Sequence, residues 1–359
     1  MHDWHIAQGA KMAAFAGYDM PISYPTGALE EHALTRRSVG LFDIDHMGQF
    51  EISGPSAEAF VSRMVSARIS DLNVPMSRYS LLLNEDGCVL DDLFVYRLPE
   101  SWWIVVNASN RESDLAWFRS RAIEGVTIED KSDETYMIAV QGPRAIELLD
   151  AVATLPVSAA ERFGWCKTEI GGVPILFGRT GYTGEDGGEL FFPVEKALFL
   201  WEYLLAKGIE LGIETKAIGL AARDSLRFEA GMPLHGHEIS ASINALDAGF
   251  KWACDFSKDF IGKAALEAVA ARGPDRKLVG LDVSGGVPRE GYEVADVQGR
   301  VVGRCVAGMF CPSVKKYAAN AFVEPVLAVP GTALKVLVRG QPKDAMVVKR
   351  PLYIPAYRR

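Results

Sequence analysis

The chain has 359 residues, of which 49% are hydrophobic, and a net charge of −8 at pH 7. This length is enough for two or three domains that each bury a core. The net negative charge and the lack of a Lys/Arg block argue against binding to nucleic acid or to an anionic membrane surface. No apolar run approaches the roughly 20 residues needed to span a bilayer. Five scattered cysteines without a CxxC pair indicate reduced thiols in a cytoplasmic protein rather than a zinc site.

Residues 1–43 carry one predicted helix, over Gly27–Ser38. Residues 44–133 then alternate strand and helix patterns. The predicted order is strand, helix, three strands, helix and strand, over Met47–Ser53, Pro55–Val65, Tyr79–Leu83, Val89–Leu98, Trp102–Asn107, Asn110–Ala122 and Val126–Asp130. The hairpin signal Asn84-Glu-Asp-Gly87 joins the second and third strands. This order is close to the ferredoxin-like split βαβ plan with one added strand.

Residues 134–250 resume an α+β pattern. It contains a strand that ends at Gln141, a helix, a hairpin and two helices around Glu195–Ala206 and Ile218–Ala230. A boundary is predicted near Ala271–Asp275. Residues 277–350 are rich in Val, Gly and short strand patterns, which predicts a small all-β domain, either a barrel or a sandwich.

The segment Arg179–Glu189 combines four glycines with an aromatic ring, Tyr182, and the three acids Glu185, Asp186 and Glu189. Glycine permits backbone geometries with positive φ, so this composition suits a loop that closes over a flat, polar ligand. The alternative is a long hairpin turn with a solvated acidic tip. The segment alone leaves both interpretations open.

Asp91 and Asp92 lie inside an apolar strand, Val89–Tyr96. Side chains alternate across a strand, so Asp92 shares one face with Phe94 and Tyr96 while Asp91 takes the other. One of the two carboxylates is therefore expected in apolar surroundings, where an unpaired charge is costly. The pattern predicts either a functional carboxylate or one that caps a turn or pairs with an arginine.

The predicted helix in Gly219–Gly231 places Arg223 and Arg227 on one face, with Asp224 three residues before Arg227. Such an arginine could clamp a ligand carboxylate, but a surface salt-bridge network is the more common arrangement. His46 beside Asp45 is interpreted as a hydrogen-bonded structural residue. His235 and His237 lack a third ligand in register, so no metal site is predicted. Nucleotide-binding, zinc-protease and serine-hydrolase signatures are absent.

The ordered set of segments resembles the aminomethyltransferase (T-protein) family of the glycine cleavage system. The resemblance runs nearly from end to end, over Lys11–Pro21, Arg37–Gly48, Asp91–Leu93, Val106–Asn110, Gln141–Pro143, Arg179–Glu189, Gly219–Gly231 and Pro351–Tyr353. It implies an α+β fold in which three domains form a cloverleaf-like ring around bound tetrahydrofolate. The implied domains are a folate-binding α+β domain (1–43 plus 134–255), a ferredoxin-like domain carrying Asp92 (44–133), a linker helix (256–276) and a C-terminal β-barrel or sandwich (277–359).

Carried over residue by residue, the resemblance implies that Asp92 is the catalytic carboxylate near N10 of the folate. Positions that line the family's folate pocket are matched by Met47, Tyr79, Tyr96, Asn107, Tyr182, Glu189 and Arg223. Glu189 would bond the amino and ring N–H groups of the pteridine, Asn107 would complete that recognition, and Tyr182 and Met47 would pack on the ring faces. Arg358 would meet the glutamate tail.

The implied reaction moves a one-carbon unit from the aminomethyl-dihydrolipoyl arm of a carrier (H-protein) to tetrahydrofolate, with release of ammonia. Asp45, Cys88, Gly188 and His235 depart from the family's usual residues. Two alternatives therefore stay open, a tetrahydrofolate-dependent demethylase acting on a small-molecule methyl donor and a non-catalytic folate-binding protein. The family's non-catalytic relatives carry a cysteine motif that Gly231–Glu238 lacks, and Asp92 is present here.

Overall fold

The computed structural model describes residues 1–358 of the chain and the side chains of residues 1–357. The opening residues form α1 (His2–Ala7), β1 (Lys11–Phe15), β2 (Tyr18–Ser23), α2 (Ala28–Arg37) and β3 (Val39–Asp43). The predicted helix over Gly27–Ser38 is confirmed as α2. The short helix α1 and the β1–β2 hairpin were not predicted, because neither has a long enough hydrophobic repeat to read from sequence.

The next block is one antiparallel sheet with two helices. Its elements are β4 (Gly48–Ser53), α3 (Ala57–Met64), β5 (Ser77–Leu83), β6 (Val89–Arg97), β7 (Ser101–Val106), α4 (Arg111–Ser120) and β8 (Thr127–Asp130). The strand order is β5-β6-β7-β4-β8. Without the edge strand β5 this is the ferredoxin-like order, so the predicted plan with one added strand is confirmed.

The β5–β6 turn shows why this hairpin could be predicted. The Asn84 side chain accepts hydrogen bonds from the backbone N–H groups of Asp86 and Cys88. Gly87 has a φ of +74°, which favours glycine, and a Cβ there would lie 2.7 Å from the Leu266 side chain. The turn therefore fixes the register of β6, and with it the side on which Asp92 emerges.

A second sheet collects strands from two distant parts of the chain. The elements after β8 are β9 (Thr135–Gln141), α5 (Ala145–Val152), β10 (Trp165–Ile170), β11 (Val173–Gly178), β12 (Gly187–Pro193), α6 (Ala197–Glu210), β13 (Thr215–Ala217) and α7 (Leu220–Glu229). The order β10-β11-β12-β9-β3-β13 inserts β3, from the opening segment, between β9 and β13. The first 43 residues and the segment after residue 134 therefore share one sheet, and β13 pairs parallel with β3.

The C-terminal part is a closed barrel, which decides between the barrel and the sandwich that the sequence left open. It follows α8 (Lys263–Arg272) and contains β14 (Lys277–Val283), β15 (Glu293–Ala295), β16 (Val301–Cys311), β17 (Lys316–Val323), β18 (Ala333–Val338) and β19 (Gln341–Val348). Each of the three sheets encloses its own buried apolar cluster, so the predicted α+β class with a small C-terminal barrel is confirmed. The residue limits predicted for the domains stay predictions.

Candidate active site

One cavity of about 1130 Å³ is lined by residues from all three parts of the fold. The first sheet contributes Tyr79, Asp92 and Asn107, and the second contributes Thr180 and Glu189. Other wall residues are Met47, Tyr182, Arg223, Trp252, Arg350 and Tyr357. Seven residues predicted for the site from sequence therefore share this cavity: Met47, Tyr79, Asp92, Asn107, Tyr182, Glu189 and Arg223.

The alternation of β6 separates its two aspartates as predicted. Asp91 is fully buried on the side of α4, whereas Asp92 is partly exposed to the cavity beside Phe94. Neither carboxylate belongs to an ion pair among the residues that the structure describes, so the arginine-paired alternative does not apply. Both depend on neutral hydrogen-bond donors.

Two such donors hold the carboxylate of Asp92. The Tyr79 hydroxyl donates to Oδ2 at 2.9 Å, and Nδ2 of Asn107 donates to Oδ1 at 2.8 Å. Burial, followed by the charge of Asp91, raises the pKa of Asp92 to about 7, although both hydrogen bonds act to lower it. A carboxyl group that gains and loses its proton near neutral pH is suited to general acid–base chemistry.

Asn107 has a different set of contacts from the one the resemblance implied. Its Nδ2 is shared among Asp91 Oδ1, Asp92 Oδ1 and the Asp92 carbonyl, and its backbone N–H donates to Asp91 Oδ2 at 2.9 Å. The amide donors are therefore used to bridge the two aspartates. Asn107 therefore orients Asp92, and its predicted contact with a pteridine ring stays a prediction.

Glu189 lies at the second-sheet end of the cavity. Its Oε2 accepts a hydrogen bond from the Thr180 hydroxyl, which also contacts the Tyr96 hydroxyl at 2.8 Å. Tyr96 also interacts with this carboxylate, and Glu189 is part of the cavity wall. Burial raises the pKa of Glu189, and Thr180, Arg223 and Tyr96 oppose that rise. A carboxylate in this state gains from new hydrogen-bond donors in the cavity.

Tyr96 stands behind this wall. It is fully buried at 0% exposure and is not among the lining residues, so a direct contact with a cavity ligand does not fit its position. The prediction of Tyr96 as a pocket-lining residue is therefore corrected to a supporting one. Strand alternation put it on the Asp92 face, but the second sheet packs over that end of β6 at Phe191.

The two arginines of α7 have different surroundings. Arg227 is 1% exposed and is paired with Asp224 at 2.8 Å and with Glu238 at 2.9 Å, so the predicted ion pair is confirmed, but in a buried setting. Arg223 instead lies in the cavity wall with its guanidinium 4.6 Å from the centre of the Tyr182 ring. No ion pair within residues 1–357 involves Arg223, and burial lowers its pKa. It is thus a cation suited to an anionic or electron-rich ligand.

The Gly-rich segment connects β11 to β12 as a hairpin, yet its acids are not solvated. Glu185 is buried and is paired with Arg36 at 2.9 Å, while Asp186 is paired with Arg179 at 2.7 Å. These two ion pairs hold the segment in place, and most of its residues line the cavity. The solvated acidic tip is therefore excluded, whereas closure over a ligand stays a prediction.

The histidines do not form a metal centre. Residues 1–357 contain no cluster of three or more His, Cys, Asp or Glu side chains arranged to hold a metal. His46 is buried against Phe15, and its Nδ1 has no hydrogen-bond partner in the described structure. The expectation of a hydrogen-bonded His46 is thus wrong at that atom. Burial lowers its pKa to about 4, so the ring is neutral.

Three cavity residues were missed by sequence reasoning. Thr180 orients Glu189, Trp252 is 69% exposed and stacks on Tyr79 with 5.3 Å between ring centres, and Arg350 lines the wall just after the barrel. Nε of Arg350 is buried without a partner within the described chain. The side chain of Arg358, predicted to meet the glutamate tail, lies outside the described residues.

Two family models together cover almost the whole chain. Residues 1–258 match the GCVT N-terminal domain, and residues 276–353 match the glycine cleavage T-protein C-terminal barrel domain. All five cysteines are free, and none of the helices in residues 1–358 is long and apolar enough to cross a membrane.

Curated relatives and a solved structure agree with these matches. An aminomethyltransferase of Symbiobacterium thermophilum is 42% identical over 370 residues, covering 100% of this chain and 98% of the relative. One from Herpetosiphon aurantiacus is 41% identical over 359 residues, with coverage of 99% and 98%. The crystal structure of the glycine cleavage system aminomethyltransferase T from Bartonella henselae superposes with a TM-score of 0.92 at 34% identity, covering 100% of this chain and 98% of that one.

Proposed function

Because the chain belongs to the glycine cleavage T-protein family and is an aminomethyltransferase, we propose that it passes a one-carbon unit from an aminomethylated, lipoylated carrier (H-protein) to tetrahydrofolate and releases ammonia. The observation that carries this proposal is Asp92, a carboxyl group with a pKa of about 7 on the wall of a large cavity. We place the reaction in the cytoplasm, since the five cysteines are free.

The residues of the cavity fit a folate at its pteridine end. Glu189 presents a carboxylate to the cavity, and a carboxylate is the natural acceptor for the paired N–H donors of a pterin ring. Tyr182 and Met47 supply apolar contact surface nearby, and Arg223 supplies a cation. Tetrahydrofolate, when bound, supplies the nucleophilic amines that take up the one-carbon unit.

Asp92 performs the proton transfer in this proposal. As a carboxylate it accepts a proton at Oδ1 or Oδ2 from an attacking amine and stabilises positive charge on the incoming carbon. Tyr79 and Asn107 fix the plane of the carboxylate, so the group reacts without reorienting. The remaining catalytic requirement is to hold two reactants side by side, which the cavity walls provide.

The size of the cavity supports two ligands. Pockets for one small molecule enclose about 300–1000 Å³, and this cavity encloses about 1130 Å³. Trp252, exposed and stacked on Tyr79, offers an apolar surface close to Asp92 for a lipoyl arm. For the tail of the folate we propose Arg350, because this residue lines the cavity, its Nε is buried without a hydrogen-bond partner, and it forms no ion pair within residues 1–357.

The test is release of ammonia and of the one-carbon product from aminomethylated carrier, with and without tetrahydrofolate. Asp92→Asn should remove most turnover while tetrahydrofolate affinity stays within about tenfold, because the substitution removes the base and keeps the shape. Asp86→Asn, at an exposed position in the β5–β6 turn, is the matched control. Tetrahydrofolate binding without turnover on the carrier would instead favour a small-molecule methyl donor.

A further inference from the structure

We infer that Asp114 is a protonated acid that donates a hydrogen bond to Asp91 and thereby positions the network that carries Asp92. This inference rests on the proposed function only in taking Asp92 as the reacting group. Nothing in the sequence patterns or the family resemblance singled out Asp114, which lies in the first turn of α4 and looks like an ordinary polar residue of an amphipathic helix. In the structure it is 2% exposed and turned toward β6.

The carboxyl groups form a continuous chain. The side chain of Asp114 interacts with that of Asp91, which is fully buried. Asp91 Oδ1 accepts from Nδ2 of Asn110 at 2.6 Å and from Nδ2 of Asn107 at 2.8 Å. The same Nδ2 of Asn107 donates to Asp92 at 2.8 Å. The position of Asp91 therefore determines where Asn107 holds the reacting carboxylate.

Counting the donors shows where a proton must lie. The amide donors of Asn107 and Asn110 all go to Asp91, Asp92 or backbone carbonyls. Oδ2 of Asp114 is buried, and no donor within the described residues reaches it. Two ionised carboxylates cannot hydrogen bond to each other, since both only accept. Asp114 is the carboxyl group of this network that receives no hydrogen bond from an N–H donor. We therefore place the proton on Asp114, which then donates a hydrogen bond to Asp91.

The charged groups around the network also indicate that Asp114 carries a proton. The titratable groups that face Asp114 are Asp91 and Asp92 on β6, and Tyr79 on β5 contacts Asp92 in turn. The nearest arginine on its own helix, Arg111, is paired with Asp130 and Asp133. Three buried carboxylates without a cation would be very costly. Burial, then the charge of Asp91, raises the pKa of Asp114 to about 11, so it stays neutral at physiological pH.

The first test follows the titration of ¹³Cγ-labelled aspartates by NMR in the full chain without folate or carrier. One buried aspartate should remain protonated at pH 8, and its signal should vanish in Asp114→Asn but persist in Asp92→Asn. The titration midpoint of Asp92 should be unchanged in Asp114→Asn, because the amide is neutral and still donates to Asp91. A fall in that midpoint would show that Asp114 is ionised in the native protein and would overturn the inference.

The second test compares turnover of Asp114→Asn and Asp114→Leu. Leu has a similar volume but no donor, so Asp91 should lose that hydrogen bond, hold Asn107 less firmly and lower turnover by about tenfold. The acid limb of the pH–rate profile should move to higher pH, because a weakened hydrogen bond from Asn107 no longer lowers the pKa of Asp92. Asp114→Asn should rescue both effects, and Glu112→Gln, exposed on the same helix, is the matched control.

Equal turnover and an equal pH profile in the Asn and Leu variants would overturn the positioning role. If the Leu variant does not fold, the titration of Asp92 in the Asn variant still decides the inference. The NMR result needs no turnover, so a failure of the proposed carrier reaction cannot be mistaken for a failure of the Asp114 assignment.

Discussion

Asp92 has opposite effects on stability and on activity. Its folded-state pKa of about 7 lies above the ordinary aspartate value, so ionisation is harder in the folded protein than in the unfolded chain. The contribution of Asp92 to the free energy of unfolding is therefore most favourable below about pH 4 and falls as pH rises through 7. A group kept for its chemistry commonly costs stability in this way.

Asp92→Asn should consequently be more stable than the wild type at pH 8, by about 1–2 kcal/mol, and the difference should shrink as pH falls toward 4. Denaturant unfolding at several pH values measures it. The change of this stability difference with pH is the result that tests the prediction. Altered hydrogen bonds to Tyr79 and Asn107 would instead change the free energy of unfolding by the same amount at pH 4 and at pH 8. A constant difference across pH 4–8 would mean that Asp92 is ionised as easily in the folded protein as in the unfolded chain.

Glu189 is the residue on which recognition of a pterin ring depends in our proposal. Glu189→Ala removes the acceptor in the cavity wall and leaves the Thr180 hydroxyl with only the Tyr96 hydroxyl as its partner. Tetrahydrofolate affinity should fall by about 2–4 kcal/mol, because the bound ring's donors become buried and unsatisfied. Calorimetric titration of the free protein measures this, with Glu195→Ala, exposed beyond the end of β12, as the control. Unchanged affinity would contradict the assigned role.

At the scale of elements, much of the fold could be predicted because its signals are local. The alternation of β6 and the Asn84–Gly87 turn are both contained within a few residues. The short strand β13 escaped prediction, since its place beside β3 depends on a parallel pairing across more than 170 residues of chain. Tyr96 was placed on the correct face of its strand, but strand periodicity cannot show that a second sheet covers that end.

Long-range polar contacts were equally invisible in the sequence. The side chain of Glu229 on α7 is fully buried and accepts hydrogen bonds from Arg36 of α2 at 3.1 Å and from the backbone N–H of Ser313, between β16 and β17, at 2.8 Å. His32 contacts the same carboxylate at 3.2 Å. One side chain thus joins the helices of the second sheet to the barrel. No local pattern distinguishes it from a surface glutamate on an amphipathic helix.

Glu229→Gln should therefore destabilise the protein by about 1–3 kcal/mol, because it weakens a charge-assisted hydrogen bond in a buried site and leaves Glu185 as the remaining anionic partner of Arg36. The contacts with His32, Ser313 and Arg36 lower the pKa of Glu229 despite its burial, so its stabilisation is present above about pH 4.5 and is lost as pH falls below that value. Thermal unfolding at pH 7 and pH 4 should show a larger difference at pH 7. Glu202→Gln on α6 is the control; a loss no larger than the control's would refute the joining role.

At the scale of the whole molecule, the cavity is a product of all three parts of the fold. Asp92 comes from the first sheet, Glu189 from the second, and Arg350 from the chain that leaves the barrel. Sequence reasoning identified the first two because the family resemblance marks them. It missed Arg350, since nothing in Val348-Lys-Arg-Pro351 indicates that the chain turns back toward a site built 160 residues earlier.

Arg350 provides a test of whether the barrel takes part in binding. Burial lowers the pKa of Arg350, the charge of Glu238 opposes that fall and the like charge of Arg227 adds to it, so a ligand carboxylate would further favour the cation. Arg350→Met should weaken tetrahydrofolate binding by about 1.5–3 kcal/mol but leave a tetrahydropterin without the glutamate tail unaffected. The melting temperature of the variant is measured alongside, because Arg350 also donates a hydrogen bond to the Gly231 carbonyl, and this separates a loss of binding from a loss of folded protein. Lys349→Met, exposed one residue earlier, is the matched control. Equal losses of affinity for both ligands would mean that Arg350 contacts the pterin ring rather than the glutamate tail. No loss of affinity for either ligand would mean that Arg350 takes no part in folate binding.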